Sequence, residues 1–305
     1  MPESPGRAPA APPMNVIIPA AGLGTRLAPA SLAVPKELLP LGVQPALVAC
    51  LLEADAAGLR TLSIVLSPGK DAIRRFLDPD SWPRVPALAD SEALRPLRAL
   101  LARLRICFAE QTEPAGVRDA VERGQRAAGS ALGDAPCAVL YPDLVCLPDQ
   151  RGLATLVAAQ AQPGASADAT VFAVHDAGAP GLRHGAAARV ELHPGIALAA
   201  QTPGALLPIR SLAPASGPAA PGELRTTFAE IQGLALARAL DREGRGADGK
   251  LVDAVYLQIL NRMAEAGLLF GTLLPGEVLD LGTAAGYRDA ARRFCAGEAS
   301  LRELC

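Results

Sequence analysis

The stretch from Val16 to Arg26 constrains the fold more than any other part of this 305-residue sequence. It begins as a short apolar run rich in branched residues, which is typical of a buried strand. The run passes directly into a loop of small residues that carries an arginine. Backbone amides of such a loop can approach phosphate groups closely, and the cation can neutralise them. The stretch therefore predicts a strand that leads into a nucleotide-binding loop.

The two glycines of this loop, Gly22 and Gly24, do not identify the nucleotide by themselves, because a Gly-x-Gly after a strand also serves ordinary tight turns. The dinucleotide-binding fingerprint is absent, since Thr25 follows Gly24 and no third glycine stands at the required spacing. The Gly-Lys-Ser/Thr of a Walker-type loop is absent as well. An NAD-binding oxidoreductase is therefore disfavoured.

Composition predicts a globular cytoplasmic protein. Half of the residues are apolar and the formal net charge is −2, so neither nucleic acid nor a membrane is expected as a partner. The six cysteines include no Cys-x-x-Cys pair, which fits a reduced compartment. Residues 1–13, rich in Pro and Ala, are expected to be a flexible tail rather than a signal peptide. No apolar run is long enough to span a bilayer.

Strand and helix patterns alternate over the first half of the chain, from Met14 to about Gln160. This order predicts an α/β fold, a Rossmann-like mostly parallel mixed sheet flanked by helices, in a single domain from 14 to 305. Further along, we expect loops over Ala199 to Pro221 and helices over Phe228 to Leu240 and Leu251 to Ala266. A last helix is predicted over 283–296.

Lysine is rare in this sequence, whose 29 basic residues include only Lys36, Lys70 and Lys250 as lysines. The plain interpretation is a composition bias toward arginine. A lysine kept against that bias indicates a position that needs a compact point charge. Because Lys36 stands in Pro35-Lys36-Glu37, shortly after the glycine loop, we expect it to contact phosphate.

The full string from Pro19 to Leu41 resembles the signature of the sugar-nucleotide pyrophosphorylases and is most similar to that of the bacterial UTP-glucose-1-phosphate uridylyltransferases. The resemblance extends from Asn15 to about Phe294, and the helical insertion Pro79–Arg105 matches one that sets the uridylyltransferases apart. It implies a fold of the nucleotide-diphospho-sugar transferase type. It also implies the reaction of UTP with glucose-1-phosphate, or a related hexose-1-phosphate, to a UDP-sugar and pyrophosphate. Mg²⁺ as cofactor and a homo-oligomer are further implications.

The same resemblance assigns site residues. Arg26 and Lys36 would be catalytic, through contacts with the triphosphate, and Asp143 and Asp280 would hold the metal. The nucleotide-binding residues would be Ala20, Ala21, Gly22, Gly24, Thr25, Gln111 and Gly116. The Gln111 amide offers a donor and an acceptor to the edge of uracil. Taken singly, Asp143 could instead be a turn residue after proline and Asp280 an N-cap.

The sequence departs from the family on the sugar-phosphate side. Leu32 replaces a lysine, Gly116–Ala120 replaces Gly-x-Gly-His-Ala, Leu212–Pro214 replaces Glu-Lys-Pro, and Asp248–Leu251 replaces Asp-Glu-Ile-Gln. The Glu-Lys-Pro lysine would hold the sugar phosphate, so one of several cations would have to substitute: Arg183, Arg189, Arg210 or Lys250. Two hypotheses follow, an active uridylyltransferase with a rebuilt sugar pocket and a degenerate relative that binds a nucleotide or a partner subunit.

Overall fold

A computed structural model gives the fold. It describes residues 15–85, 88, 91–113, 116–129, 135–146, 151–176, 188–215, 220, 222–243 and 253–296. The expected tail 1–13, the candidate cations Arg183 and Lys250, and the segment Asp248–Leu251 lie outside the described residues.

The described strands and helices alternate over the first half of the chain, as the sequence predicts. The strands are β1 (Val16–Ala20), β2 (Pro40–Leu41), β3 (Gln44–Pro45), β4 (Thr61–Leu66), β5 (Arg105–Glu110), β6 (Cys137–Leu140), β7 (Leu144–Cys146), β8 (Thr170–Asp176), β9 (Ala188–Leu192), β10 (Leu207–Pro214), β11 (Leu224–Gln232), β12 (Leu269–Leu273) and β13 (Val278–Asp280). The helices are α1 (Ala30–Ala33), α2 (Leu47–Ala56), α3 (Asp71–Leu77), α4 (Arg95–Arg103), α5 (Gly116–Ala127), α6 (Gly152–Gln160), α7 (Leu234–Glu243), α8 (Asp253–Glu265) and α9 (Ala284–Ala296).

Nine strands form one mixed sheet in the order β5-β4-β1-β6-β11-β8-β12-β10-β9. The first four are parallel, with Val16 of β1 opposite Leu62 of β4 on one side and Ala138 of β6 on the other. Beyond β6 the pairings are antiparallel, except that β8 and β12 run parallel. The expected Rossmann-like α/β architecture is confirmed, and its continuous parallel part lies in the N-terminal half.

Strand β11 joins two parts of this sheet. Its residues Ala229–Gln232 pair with β6, whereas Leu224 and Arg225 pair with β9. Because β9 also pairs with β10, the strands β11, β8, β12, β10 and β9 close into a ring. We call these five strands the C-terminal ring.

Apolar side chains pack on both faces of the sheet. One large core holds the inward residues of β1, β4 and β6 together with α2 and α6. A second core lies between the C-terminal ring and helices α7 and α8. Helix α4 buries Leu97, Leu100 and Leu101 in the first core, so the 79–105 insertion is anchored to the sheet. No described helix combines the length and apolar character needed to cross a membrane.

Two sequence predictions are wrong. The loop predicted over Ala199–Pro221 contains β10, where Leu207, Ile209 and Leu212 are buried. A β-bulge between Ile209 and Ser211 and two prolines interrupt the alternation that would have predicted this strand. The helix predicted over Phe228–Leu240 begins only at Leu234, because residues up to Gln232 belong to β11. The pairing of β11 is irregular between Thr226 and Glu230, so its apolar residues do not alternate strictly as in a regular strand. Their spacing therefore resembles that of a helix.

Candidate active site

The glycine loop leaves β1 at Ala20 and turns at Gly24, whose φ of 68° lies in the left-handed region that glycine favours. A Cβ at Gly24 would lie 3.3 Å from Cβ and Cδ of Lys36, so the absence of a side chain also lets the lysine pack against the loop. Thr25 and Arg26 follow in a short 3-10 turn and are exposed. The loop therefore brings Arg26 and Lys36 to one place.

A second lysine, Lys70, holds the glycine loop through hydrogen bonds to its backbone. The Lys70 ammonium donates to the backbone carbonyls of Ala20 at 2.6 Å and Gly22 at 2.7 Å, and it lies 2.9 Å from both carboxylate oxygens of Glu37. Burial lowers the pKa of Lys70. The glycine loop and the Pro-Lys-Glu segment are thus joined through one buried ion pair.

The two expected metal-binding carboxylates come from segments far apart in sequence. Asp143 follows β6, and Asp280 ends β13. Antiparallel pairing of β13 with β7 places Asp280 opposite Leu144, and the Leu281 amide donates to the Asp143 carbonyl at 2.7 Å. This short two-stranded sheet brings the two aspartates together.

Three of the predicted site residues meet above Gly282. A Cβ built there would lie 3.0 Å from Oδ1 of Asp280, 3.1 Å from Nη2 of Arg26 and 3.5 Å from Oδ2 of Asp143. The same Asp143 oxygen accepts from the Lys36 ammonium at 2.8 Å. A side chain at 282 would crowd the ends of these side chains and shift them by a few tenths of an ångström.

The donor set fits a hard divalent cation. Mg²⁺ prefers oxygen ligands and is commonly held by one or two carboxylates together with substrate phosphates and water. Within the described part of the chain no group of three or more His, Cys, Asp and Glu side chains comes together as a metal site. The protein therefore offers two carboxylates, and phosphates would have to complete the coordination.

Gln111 begins the loop after β5 and is buried. Its Nε2 donates to the Gly116 carbonyl at 3.0 Å and to Oδ2 of Asp119 at 2.8 Å. Both partners are acceptors, so they fix which end of the amide carries the nitrogen. Asp119 is also bonded to Arg123, and these hydrogen bonds outweigh burial and lower its pKa. The Gln111 side chain consequently presents its oxygen, and not its NH₂, to a ligand.

Several positions that depart from the family lie on elements other than those that carry Asp143 and Asp280. Leu32 is 83% exposed on α1, and Arg118 is buried on α5. Ala213 lies on β10 opposite Arg189 of β9. Arg210 stands at the β10 bulge and pairs with Glu191. Of the four candidate substitutes for the missing lysine, Arg189 and Arg210 are thus within the described residues.

Residues 15–182 match the nucleotidyl transferase family. This match covers more than half of the chain. The chain belongs to that family.

Similar proteins carry more specific names. The chain is 35% identical over 145 residues to the UTP--glucose-1-phosphate uridylyltransferase of Bacillus subtilis (strain 168), which covers 47% of the chain and 48% of that protein. It is 33% identical over 150 residues to the protein of the same name from Mycoplasma pneumoniae, covering 48% and 50% of the two chains. The chain spans about half the length of these relatives that it matches.

Solved structures share the fold over most of the chain. A UDP-glucose pyrophosphorylase complexed with UDP-glucose superposes with a TM-score of 0.72, covering 93% of this chain and 99% of that chain at 18% identity. A UTP-bound UGPase from Acinetobacter baumannii superposes with a TM-score of 0.70, covering 95% of each at 19% identity. These similarities show the fold of this nucleotidyl transferase.

Sequence reasoning missed three residues at this nucleotidyl transferase site. It singled out Lys70 as a rare lysine without giving it a role, and it gave none to Gly282. It included Asp119 only within the departing segment Gly116–Ala120 and did not foresee the contact of this residue with Gln111. The scarcity of lysine was a usable signal for Lys70, because both described lysines lie at the glycine loop. The other two contacts depend on loop geometry that no local pattern contains.

Proposed function

We propose that this nucleotidyl transferase converts UTP and glucose-1-phosphate, or a related hexose-1-phosphate, to a UDP-sugar and pyrophosphate. In this reaction a phosphate oxygen of the sugar-1-phosphate forms a bond to the α-phosphorus of UTP. The bond from that phosphorus to the oxygen bridging to the β-phosphate breaks, and pyrophosphate leaves with the electron pair. Such a transfer needs positioned charges and no nucleophilic side chain.

The observation that carries the proposal is the meeting of Arg26, Asp143 and Asp280 above Gly282, with Lys36 bonded to Asp143. Two cations and two carboxylates are thereby concentrated where β1 and β6 end. In parallel sheets this carboxyl end is where ligands bind. The arrangement supports binding of a polyphosphate together with a metal.

Each residue would have a defined task. The exposed Arg26 would contact the triphosphate, and Lys36 would hold phosphate oxygens as a point charge after exchanging its bond to Asp143. Backbone groups of Ala20, Ala21, Gly22, Gly24 and Thr25 would line the nucleotide. Gly116 would lie against the base, and the Gln111 oxygen would accept from the base edge.

Asp143 and Asp280 would hold Mg²⁺, whose chemistry is to neutralise phosphate charge that develops as pyrophosphate leaves. Carboxylate oxygens are ligands that this cation prefers. The Lys36 ammonium would then leave the Asp143 carboxylate and contact a phosphate oxygen of the nucleotide.

The remaining expectations belong to the same proposal. One continuous nine-stranded sheet supports a single domain over 14–305. Four described cysteines, Cys50, Cys107, Cys137 and Cys146, are free thiols, which fits the cytoplasm. A homo-oligomer without nucleic-acid or membrane partners remains our expectation, and the mass of the protein in solution tests the oligomeric state.

Pyrophosphate release tests the proposal over a panel of UTP, CTP, dTTP and ATP, each with several sugar-1-phosphates. We expect Mg²⁺-dependent release with UTP and a hexose-1-phosphate. UTP binding by calorimetry without turnover on any sugar phosphate would instead identify the degenerate relative.

A further inference from the structure

Asp143 stands in a tight turn that begins at Tyr141. The Leu144 amide donates to the Tyr141 carbonyl at 3.1 Å, and this bond between residues three apart closes a β-turn. Pro142 occupies the second position of the turn, where the fixed φ of proline is favoured, and Asp143 occupies the third. The direction of the Asp143 carboxylate therefore depends on how the first residue of the turn is held.

The Tyr141 side chain is held by a carboxyl group of the neighbouring strand. Glu230 of β11 lies opposite Val139 of β6, so these two side chains project from the same face of the sheet. Tyr141 follows two residues after Val139 and packs with it in one small apolar cluster. From there the Tyr141 hydroxyl donates a hydrogen bond to the Glu230 carboxyl group. The beginning of the turn is thus tied to β11.

Glu230 is itself fixed by two further donors. Its side chain is buried, and Oε1 accepts from Nε2 of Gln232 at 2.6 Å and from the Tyr256 hydroxyl of α8 at 3.3 Å. A buried polar network whose members are hydrogen-bonded is rigid. Glu230 therefore offers Tyr141 an acceptor in a fixed place.

The Tyr141 phenol remains a hydrogen-bond donor at neutral pH. Burial raises its pKa, and the charges of Glu230 and Asp143 raise it further. The influence of Asp143 also shows that the phenol and the Asp143 carboxylate lie near each other. On the other side of the turn the Leu281 amide holds the Asp143 carbonyl at 2.7 Å. The metal-facing aspartate is thereby fixed from two directions.

We propose that Tyr141 and Glu230 are positioning residues that orient Asp143 toward the metal. The inference rests on the proposed function, because it takes Asp143 as a metal ligand. Glu230 holds the Tyr141 side chain, and Tyr141 holds the turn that carries the carboxylate. Groups that orient a metal ligand in this way commonly account for about 10- to 100-fold in metal affinity.

Calorimetry of UTP binding, once with Mg²⁺ and once with EDTA, tests this assignment without turnover. The ratio of the two Kd values measures how much the metal strengthens nucleotide binding. In Tyr141→Phe, which removes only the hydroxyl, we expect this ratio to fall about tenfold, with Kd in EDTA unchanged.

The matched control is Tyr256→Phe. It removes a hydroxyl from the same Glu230 carboxyl group, but Tyr256 lies on α8 and is not part of the turn. This variant should keep the Mg²⁺ effect of the unmodified protein. Urea unfolding of both variants shows whether either change only loosens the fold, and we expect similar decreases in the unfolding midpoint.

An unchanged Mg²⁺ effect in Tyr141→Phe, or an equal fall in both variants, would overturn the inference. UTP binding that Mg²⁺ does not strengthen in the unmodified protein would contradict Asp143 as a metal ligand, and the inference with it. A protein that releases no pyrophosphate, but in which Tyr141→Phe still weakens the Mg²⁺ effect, would contradict the proposed reaction alone.

Discussion

The glycine-loop region and the C-terminal ring differ in how their cations are paired with carboxylates. At the glycine loop Lys36 bonds Asp143 and Lys70 bonds Glu37, so each lysine has a carboxylate partner. In the ring Arg189 and Arg225 face each other across paired strands, Arg225 forms an ion pair with Glu223, and Arg189 interacts electrostatically with both Glu191 and Glu223. In the first region each lysine is bonded to a carboxylate of its own, whereas in the ring each carboxylate is shared between neighbouring arginines.

This difference bears on how the two substrates would be bound. A nucleotide that enters the glycine-loop region must exchange existing ion pairs, and a metal can compensate the aspartates that lose them. An anion that enters the ring would compete with Glu191 and Glu223 for the arginines there. The four changes below test this contrast, from the largest expected effect to the smallest.

Asp143→Asn should abolish most of the activity. An amide cannot neutralise the charge of Lys36, and it cannot hold a divalent cation as a carboxylate does. We therefore expect the rate of pyrophosphate release to fall by about 10²- to 10³-fold. The control Asp71→Asn removes a carboxylate that is 70% exposed and should keep full activity. Undiminished release in Asp143→Asn would remove this residue from the mechanism.

Lys70→Met should destabilise the fold. The change leaves the fully buried Glu37 carboxylate uncompensated and removes the donor to the Ala20 and Gly22 carbonyls. Breaking a buried ion pair in this way costs about 3–5 kcal/mol, measurable as a lower free energy of unfolding in urea. Arg75→Met, an exposed position on helix α3, which follows Lys70, is the control. Equal stabilities of the two variants would show that the buried pair is dispensable.

Glu230 in the ring should make stability depend on pH. It is buried beside Gln232 and Tyr256, and burial raises its pKa to about 7 from 4.5. Between these two values the unfolded chain has released the proton that the folded chain retains, so the free energy of unfolding decreases as pH rises. The full loss is about 3 kcal/mol by pH 8.

Urea unfolding at pH 5 and pH 8 measures this loss, and Glu230→Gln should remove most of it. The parent protein and the variant would show the same pH dependence if the carboxyl were ionised throughout. That result would also remove one difference between the two regions, since Glu230 has no cationic partner among the described residues whereas Glu37 and Asp143 each bond a lysine.

Asp119→Ala should reduce base selectivity. Without Asp119 the Gln111 amide loses one of the two acceptors that fix it, and it can rotate to offer NH₂ to the ring nitrogen of cytosine. We expect the preference for UTP over CTP in kcat/KM to fall about tenfold. Glu122→Ala on the same helix is the control, and an identical preference in the two variants would contradict the role of Asp119.

Local patterns predicted the N-terminal half of the fold well. The alternation expected from Met14 to about Gln160 is present, with β1 formed by the apolar run that starts at Val16 and with helices such as α2 and α5 between the strands. These segments combine a regular spacing of apolar residues with turn residues at their ends. Local interactions are therefore enough to specify them. The prediction failed where bulges shift the period, as in β10 and β11.

The candidate site was likewise predicted only in part from the sequence. Arg26, Lys36, Asp143 and Asp280 were named from the sequence, and the structure brings all four together. The orientation of Gln111 was not foreseeable, because it depends on Asp119 one helical turn into α5. The sequence likewise left the substitute for the Glu-Lys-Pro lysine open among four cations.

The sequence by itself determined the α/β class, the glycine loop and the kinds of side chain available for phosphate and metal, since these follow from local period and residue chemistry. Only the tertiary structure decided which cation pairs with which carboxylate. The physical reason is that strand register sets these contacts over long sequence separations. One such pairing puts Asp280 beside Asp143, and another puts Arg189 beside Arg225.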